Sequence, residues 1–136
     1  MSTFTKPLRV RDASGESVGN TVLSQTVLIG QNSTNAVSAT IKVPAGAQII
    51  TILADVLTAF NSATSAVLSV GTAAAGTQYA GSVDAKTAGR ATPTFTAAQL
   101  AAMDDVGTNT SVVATVTPTG ATSAGQVRVT ITYVAP

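Results

Sequence analysis

Residues 43–72, VPAGAQIITILADVLTAFNSATSAVLSVGT, form the longest apolar stretch of the chain, with turn-forming residues at both of its ends. Pro44 and Gly46 favour a tight turn at its start, because Pro fixes φ and Gly tolerates positive φ. The polar loop FNSATS interrupts the stretch in the middle. The pattern predicts two antiparallel strands, over residues 48–60 and 65–70, joined by that loop.

A helix is the alternative for residues 48–60, because Ile49, Leu53 and Phe60 recur at helical spacing. The same residues are rich in Ile, Val and Thr, whose branched Cβ atoms favour an extended chain, so we predict a strand. Such a strand has two largely apolar faces. That property suits a strand in the middle of a sandwich or at a contact between subunits.

The composition predicts one β-rich domain. The chain has 136 residues, of which 45% are apolar and 10% are charged, and small residues dominate while aromatic residues make up 4%. This length supports one hydrophobic core rather than two. The net charge of +1 gives no electrostatic reason to expect binding to nucleic acid.

The same composition removes most catalytic chemistry. The chain contains neither His nor Cys, which are the commonest general base, thiol nucleophile and transition-metal ligands. Asp104 and Asp105 are the only adjacent carboxylates, and no ligand pattern for a cation surrounds them. We therefore expect no enzymatic activity, no cofactor and no bound metal.

The sequence also carries no secretion or membrane signal. Residues 1–20 are polar, so we expect synthesis in the cytoplasm and no export by the general secretory route. Asp55 interrupts the best candidate for a membrane helix, so we expect no membrane partner.

Residues 1–20 differ in composition from the single domain that we predict over residues 21–136. They contain Lys6, Arg9 and Arg11, three of the seven basic residues of the chain. One interpretation is an arm that docks on carboxylates of a partner surface. The other is a loosely held terminus with a solvated cluster of charges.

Alternating apolar and polar residues predict several further short strands. The last one, QVRVTITYV, alternates strictly and is typical of a half-buried strand. Thr96 is a candidate N-cap for the one short helix. The predicted fold is all-β, a two-layer antiparallel sandwich with one short helix and a jelly-roll variant of the wiring. The predicted strands lie at residues 21–29, 36–43, 79–83, 110–117 and 126–134, and the helix at 96–103.

The order of VPAGAQI, a long strand ending in AFN, TSAVLSVGT and the final QVRVTITYV resembles a known class of proteins. These are small β-rich structural proteins of tailed bacteriophages that act as capsid decoration or cement proteins. The resemblance spans residues 43–134. It implies a β-sandwich on the outer capsid surface of the virion, at three-fold or quasi-three-fold positions, often as a homotrimer, bridging subunits of the major capsid protein.

The resemblance also implies roles for particular residues. Lys6, Arg9 and Arg11 would belong to an arm laid on the shell. We expect the homotrimer contact on the second face of the long strand, at Ile49, Leu53 and Leu57, or on the strand at 127–133.

The alternative function is an adhesion or receptor-binding module of a head or tail fibre. It predicts aromatic side chains on an exposed face that could stack on sugars. The aromatic residues available are Phe4, Phe60, Tyr79, Phe95 and Tyr133. A tail-tube or head-completion subunit is a further structural possibility.

Overall fold

The computed structural model describes residues 9–11 and 13–136, and most of them form two antiparallel sheets that pack face to face. This arrangement confirms the predicted all-β sandwich with one short helix. In chain order the elements are β1 (Arg9–Arg11), β2 (Ser17–Asn20), β3 (Val22–Gly30), β4 (Val37–Lys42), β5 (Gln48–Thr58), β6 (Ser65–Gly71), β7 (Ala80–Asp84), β8 (Gly89–Ala91), α1 (Ala97–Asp104), β9 (Ser111–Thr119) and β10 (Gln126–Val134).

The first sheet has the strand order β3-β10-β5-β8, and the second has the order β4-β9-β6-β7. Strands β1 and β2 form a separate hairpin. The strands pair in a nested order: β6 with β7, then β5 with β8, β4 with β9, and outermost β3 with β10. This is the order of one long hairpin that turns between β6 and β7 and folds over to form both sheets. A jelly-roll wiring of eight strands requires such nesting.

The core lies between the two sheets, and the inward side of β10 shows how the sequence fills it. Val127, Val129 and Ile131 are fully buried there, while Arg128 on the same strand is exposed. The strict alternation predicted for this strand is therefore confirmed. The helix closes one end of the sandwich, with Met103 buried in the core.

Strand β5 is extended, as predicted, but it carries two bulges against β10. The register with β10 shifts between Ile49 and Thr51 and again between Val56 and Thr58, so Ile50 and Leu57 are the extra residues. One extra residue turns every following side chain to the opposite face.

The first bulge corrects one predicted contact residue. Ile49 is only 3% exposed and packs in the core, whereas its neighbour Ile50 is exposed. Ile49 therefore does not share a face with Leu53 and Leu57. Those two residues lie on the outer side of the first sheet, where the prediction placed them.

The capping prediction for the helix is confirmed. The Thr96 hydroxyl accepts a hydrogen bond from the Gln99 backbone N–H, and the Gln99 side chain accepts one from the Thr96 N–H. This reciprocal pair satisfies two donors that the first turn would otherwise leave unpaired. In the described part of the chain, no helix has the length and apolar character needed to cross a membrane.

Candidate functional site

The two outer faces of the sandwich differ in whether the chain itself covers them. A loop of residues 72–79, which we call the strap, folds back over the second sheet. The Ala75 N–H donates to Thr115 Oγ1 at 2.9 Å, and Thr115 is only 1% exposed although it points away from the core. Ser69 and Val113 are buried on the same side. The second sheet therefore offers little free surface at its centre.

The strap is held in place at both ends. The Thr72 N–H donates to Gln78 Oε1 at 3.1 Å, and the Tyr79 N–H donates to Val70 O at 3.0 Å. Gly71 lies directly beneath the strap, where a Cβ atom would come within 2.6 Å of the Gly76 carbonyl carbon. Small residues thus allow the backbone of the strap to touch the sheet.

The outer face of the first sheet is exposed, and we call it the open face. Leu28 and Leu57 keep 56% and 46% of their surface in contact with solvent. Val22 and Ile50, which are also large, apolar and exposed, belong to the same sheet. The open face consists of Val22, Ser24, Thr26 and Leu28 of β3, Arg128, Thr130, Thr132 and Val134 of β10, Ile50, Thr51, Leu53, Asp55 and Leu57 of β5, and Arg90 of β8.

The centre of the open face carries hydroxyl groups. Thr130 lies opposite Thr26 on one side and Leu53 on the other, and the two Thr hydroxyl oxygens are 3.0 Å apart. Mostly polar side chains adjoin this centre, and aliphatic side chains lie toward the ends of the strands. Exposed aliphatic residues that share one face are a feature of contacts with other macromolecules, whereas small ligands bind in concave pockets.

One cluster of charges lies on the open face. Asp55 Oδ1 accepts a hydrogen bond from Arg90 Nε at 2.7 Å, and Asp55 Oδ2 is 3.6 Å from Arg128 Nη2. The hydrogen bond from Arg90 is the main reason why the pKa of Asp55 lies below its ordinary value. Two guanidinium groups share one carboxylate, so the cluster keeps one positive charge. Both Arg side chains remain well exposed.

The predicted site residues fall in different places. Leu53 and Leu57 lie on the open face, and Ile49 lies in the core. Arg9 and Arg11 belong to strand β1 of the hairpin, where Arg11 Nη1 donates to Gly15 O at 2.8 Å. Lys6 lies outside the described residues.

Sequence reasoning missed part of the open face. Leu28, Ile50, Arg90 and Arg128 were not singled out. The alternation within residues 22–28 could have indicated an exposed Leu28. Because Asp55 and Arg90 face each other only through strand pairing, no local pattern signals that pair. Among the described residues, no group of three or more acidic side chains is placed to hold a metal ion.

No protein-family model matches the chain, and no curated protein sequence matches it. The structure is similar to a chain of the cyanophage Pam1 capsid asymmetric unit, with a TM-score of 0.64 and 24% sequence identity. The match covers 92% of this chain and 92% of that chain. The two proteins therefore share their fold over nearly the whole of both chains.

Proposed function

We propose that this protein is a structural component of a bacteriophage virion that binds the outer capsid surface as a decoration or cement protein. It stabilises the shell there by bridging subunits of the major capsid protein. The observation that carries the proposal is the fold shared with a chain of a cyanophage capsid unit over 92% of both chains. The open face supports it, because its aliphatic and hydroxyl-bearing surface suits contact with another protein.

The open face provides the contact between copies in the proposed homotrimer. Leu53 and Leu57 lie on it, and Leu28 and Ile50 extend its apolar area. A stable protein interface buries about 800 Å² on each partner. Outward side chains from three neighbouring strands form one continuous surface from which such an area can be drawn.

In this proposal, basic side chains make the contact with the shell. Lys6, Arg9 and Arg11 lie in or before the N-terminal hairpin, which comes directly ahead of the sandwich in the chain. Arg90 and Arg128 belong to the open face beside Asp55, so the proposal places them at the contact between copies and not at the shell. Guanidinium groups bind carboxylates in a bidentate geometry, so acidic residues of the capsid protein are the expected counterparts.

The mechanism needs no catalysis. A shell filled with packaged DNA is under internal pressure, and each bound copy adds buried area across a seam between subunits. Individual contacts can be weak, because a trimer that binds at one site presents its other contacts at high effective concentration. A domain without cofactor or reactive side chain is sufficient for this role.

The test is co-sedimentation with expanded and unexpanded particles of the source phage, followed by a count of bound copies. We expect saturation at a copy number that matches the three-fold sites, and only on expanded shells. A triple variant K6Q/R9Q/R11Q should lose binding, while a matched variant K86Q, altered on the loop between β7 and β8, should keep it. Equal binding by both variants would remove the arm from the proposal. Absence of wild-type binding would refute the proposal itself.

Burial of the aromatic residues weighs against the adhesion alternative. Phe60 and Tyr79 are each 1% exposed, and Tyr133 is 6% exposed. These rings belong to the core and are not presented for stacking on sugars. Binding to host cells or glycans, with no binding to shells, would nevertheless favour that alternative.

A further inference from the structure

The four edge strands of the sandwich differ in how well they are protected against pairing with another chain. Exposed edges invite such pairing, and natural sheets block it with charges, prolines, bulges or short strands. Strand β8 has three residues including Arg90, β7 has five with a bulge and Asp84, and β4 has six and ends in Lys42. Each of these three edges carries at least one protective feature.

Strand β3 has none of these features. It extends for nine residues without a charged residue or a proline, and its register against β10 continues without a shift from Val22 to Gly30. Within the described residues, β3 is an edge strand whose only sheet neighbour is β10. Its other side thus has the length and the unbroken register needed to accept another strand.

The strand is also held firmly. Gln25 Nε2 donates to Lys42 O at 2.6 Å and to Tyr133 Oη at 2.9 Å, which ties the middle of β3 to β4 and to β10. An edge that is already fixed loses little conformational entropy when a partner strand joins it.

Side chains of the same type lie at equal distances on either side of Gln25 in β3. Residues 22–28 are VLSQTVL, and around Gln25 they place hydroxyl against hydroxyl and aliphatic against aliphatic. An antiparallel pair of identical strands about a two-fold axis at Gln25 would oppose Ser24 to Thr26, Leu23 to Val27 and Val22 to Leu28. An axis at Thr26 would instead oppose Ser24 to Leu28. Because opposed side chains contact each other directly, the first register is the favourable one.

We propose that β3 pairs with β3 of a second copy of this chain, antiparallel and about a two-fold axis at Gln25. The two first sheets then form one continuous eight-stranded sheet, and Val22 and Leu28, exposed in the single chain, contact each other across the axis. A two-fold contact uses the same surface on both copies, so it must be complementary to itself. The absence of charge in β3 means that no like charges meet.

This contact is separate from the proposed function. It uses the backbone edge of β3, whereas the proposed trimer uses the face of the first sheet, and Val22, Ser24, Thr26 and Leu28 border both contacts. An edge contact between copies can exist whether or not the protein binds a shell. Failure of shell binding and failure of strand pairing are therefore observed in different experiments.

The first test measures the mass of the purified protein by analytical ultracentrifugation. We expect an even number of copies for the wild type: two where only the β3 contact forms, and six where the proposed trimer contact forms as well. The double variant S24K/T26K places Lys against Lys on both sides of the axis and should weaken this association about tenfold or more. Mixing it with S24E/T26E should restore the association, because each Lys then faces a Glu. The control T51K, which adds a charge to the open face on β5 and away from the edge of β3, should keep the two-fold contact and an even number of copies.

The second test uses the absence of cysteine in the natural chain to examine the register. A mixture of the S24C and T26C variants should form a disulfide-linked dimer on mild oxidation, because these positions lie opposite each other. Either variant alone should cross-link several times less, since its own cysteines lie diagonally across the axis. Equal cross-linking in all three samples would overturn the proposed register. A wild type that is monomeric, or a trimer that S24K/T26K leaves unchanged, would overturn the proposal.

Discussion

Each outer face of the sandwich has a threonine near its centre, but the two threonines differ in burial and in hydrogen bonding. Thr115 in β9 is buried under the strap, bonded to the Ala75 N–H and 2.8 Å from Ser38 Oγ. Thr130 in β10 is partly exposed, and its hydroxyl oxygen lies 3.0 Å from that of Thr26. One threonine is a structural anchor, and the other is part of a free surface.

This difference shows that a hydroxyl-bearing strand surface does not by itself determine whether a sheet face is covered. A loop of small residues covers the second sheet, because Gly71 and its neighbours let the strap backbone approach. Among the described residues no such loop covers the first sheet, and there the outer positions include Leu28 and Leu57. The uncovered face is thus the one that exposes large aliphatic residues, as the proposed contact between copies needs.

The largest effect on stability is expected from a substitution that displaces the strap from the second sheet. In Gly71→Ala, the new Cβ would meet the Gly76 backbone at 2.6 and 2.8 Å, so the strap must move. We expect the free energy of unfolding to fall by about 3 kcal/mol. Gly30→Ala, on an edge of the first sheet with nothing within 4 Å, should be neutral or stabilise by about 0.5 kcal/mol. Urea denaturation measures both, and equal losses would contradict the described packing.

The same substitution at the two central threonines sharpens the comparison. Thr115→Val keeps the shape of the side chain but leaves the Ala75 N–H without its acceptor, at a cost of about 1–2 kcal/mol. Thr130→Val removes an exposed hydroxyl pair and should change stability by less than about 0.5 kcal/mol. Thermal unfolding of the two variants gives the comparison directly. A larger loss at Thr130 would mean that its exposed hydroxyl pair stabilises the fold more than the buried one at Thr115 does.

A charge on the open face should affect association more than stability. Leu53→Lys places an ammonium group at the centre of the proposed trimer contact, where its desolvation is unfavourable. We expect the trimer to dissociate while the free energy of unfolding of the single chain changes by about 0.5 kcal/mol or less. Light scattering and urea denaturation at matched concentrations separate the two effects. A variant that remains trimeric would exclude Leu53 from the contact.

The smallest expected effect is a change in the stability of the fold at acid pH. Hydrogen bonding to Arg90 lowers the pKa of Asp55 in the folded chain, so this carboxylate stabilises the fold above its ordinary pKa near 3.8. The contribution is lost as the pH falls from that value through the lower folded pKa. At pH 6 the free energy of unfolding of the wild type should therefore be slightly larger than that of Asp55→Asn. The difference should vanish once the pH lies below the pKa of Asp55 in the folded chain. A difference that is constant with pH would assign the effect to packing instead.

Sequence patterns predicted those elements whose signals are local. The alternation of β10 and the N-cap at Thr96 each depend on a few neighbouring residues, and the structure confirms both. The two bulges of β5 depend on its register with β10, so Ile49 was placed on the wrong face. No local pattern within β5 itself distinguishes Ile49 from Ile50.

The candidate site was predictable only in part for the same reason. Leu53 and Leu57 were placed correctly from their own strand. Leu28 and Arg90 join them through pairing with distant parts of the chain. The strap looked structureless in the sequence, because its anchor at Thr115 lies forty residues beyond Ala75.

The position of β10 in the first sheet has a consequence for biosynthesis. This strand is the last element of the chain, and it lies between β3 and β5, where Val134 pairs with Val22 on one side and Gln48 on the other. The first sheet therefore has no centre until residues 126–134 have been synthesised and have left the ribosome. Contacts so distant in sequence form slowly, on a timescale of about milliseconds to seconds. Only chains that include β10 can present the open face, so a product interrupted before β10 cannot compete with longer copies for its partners.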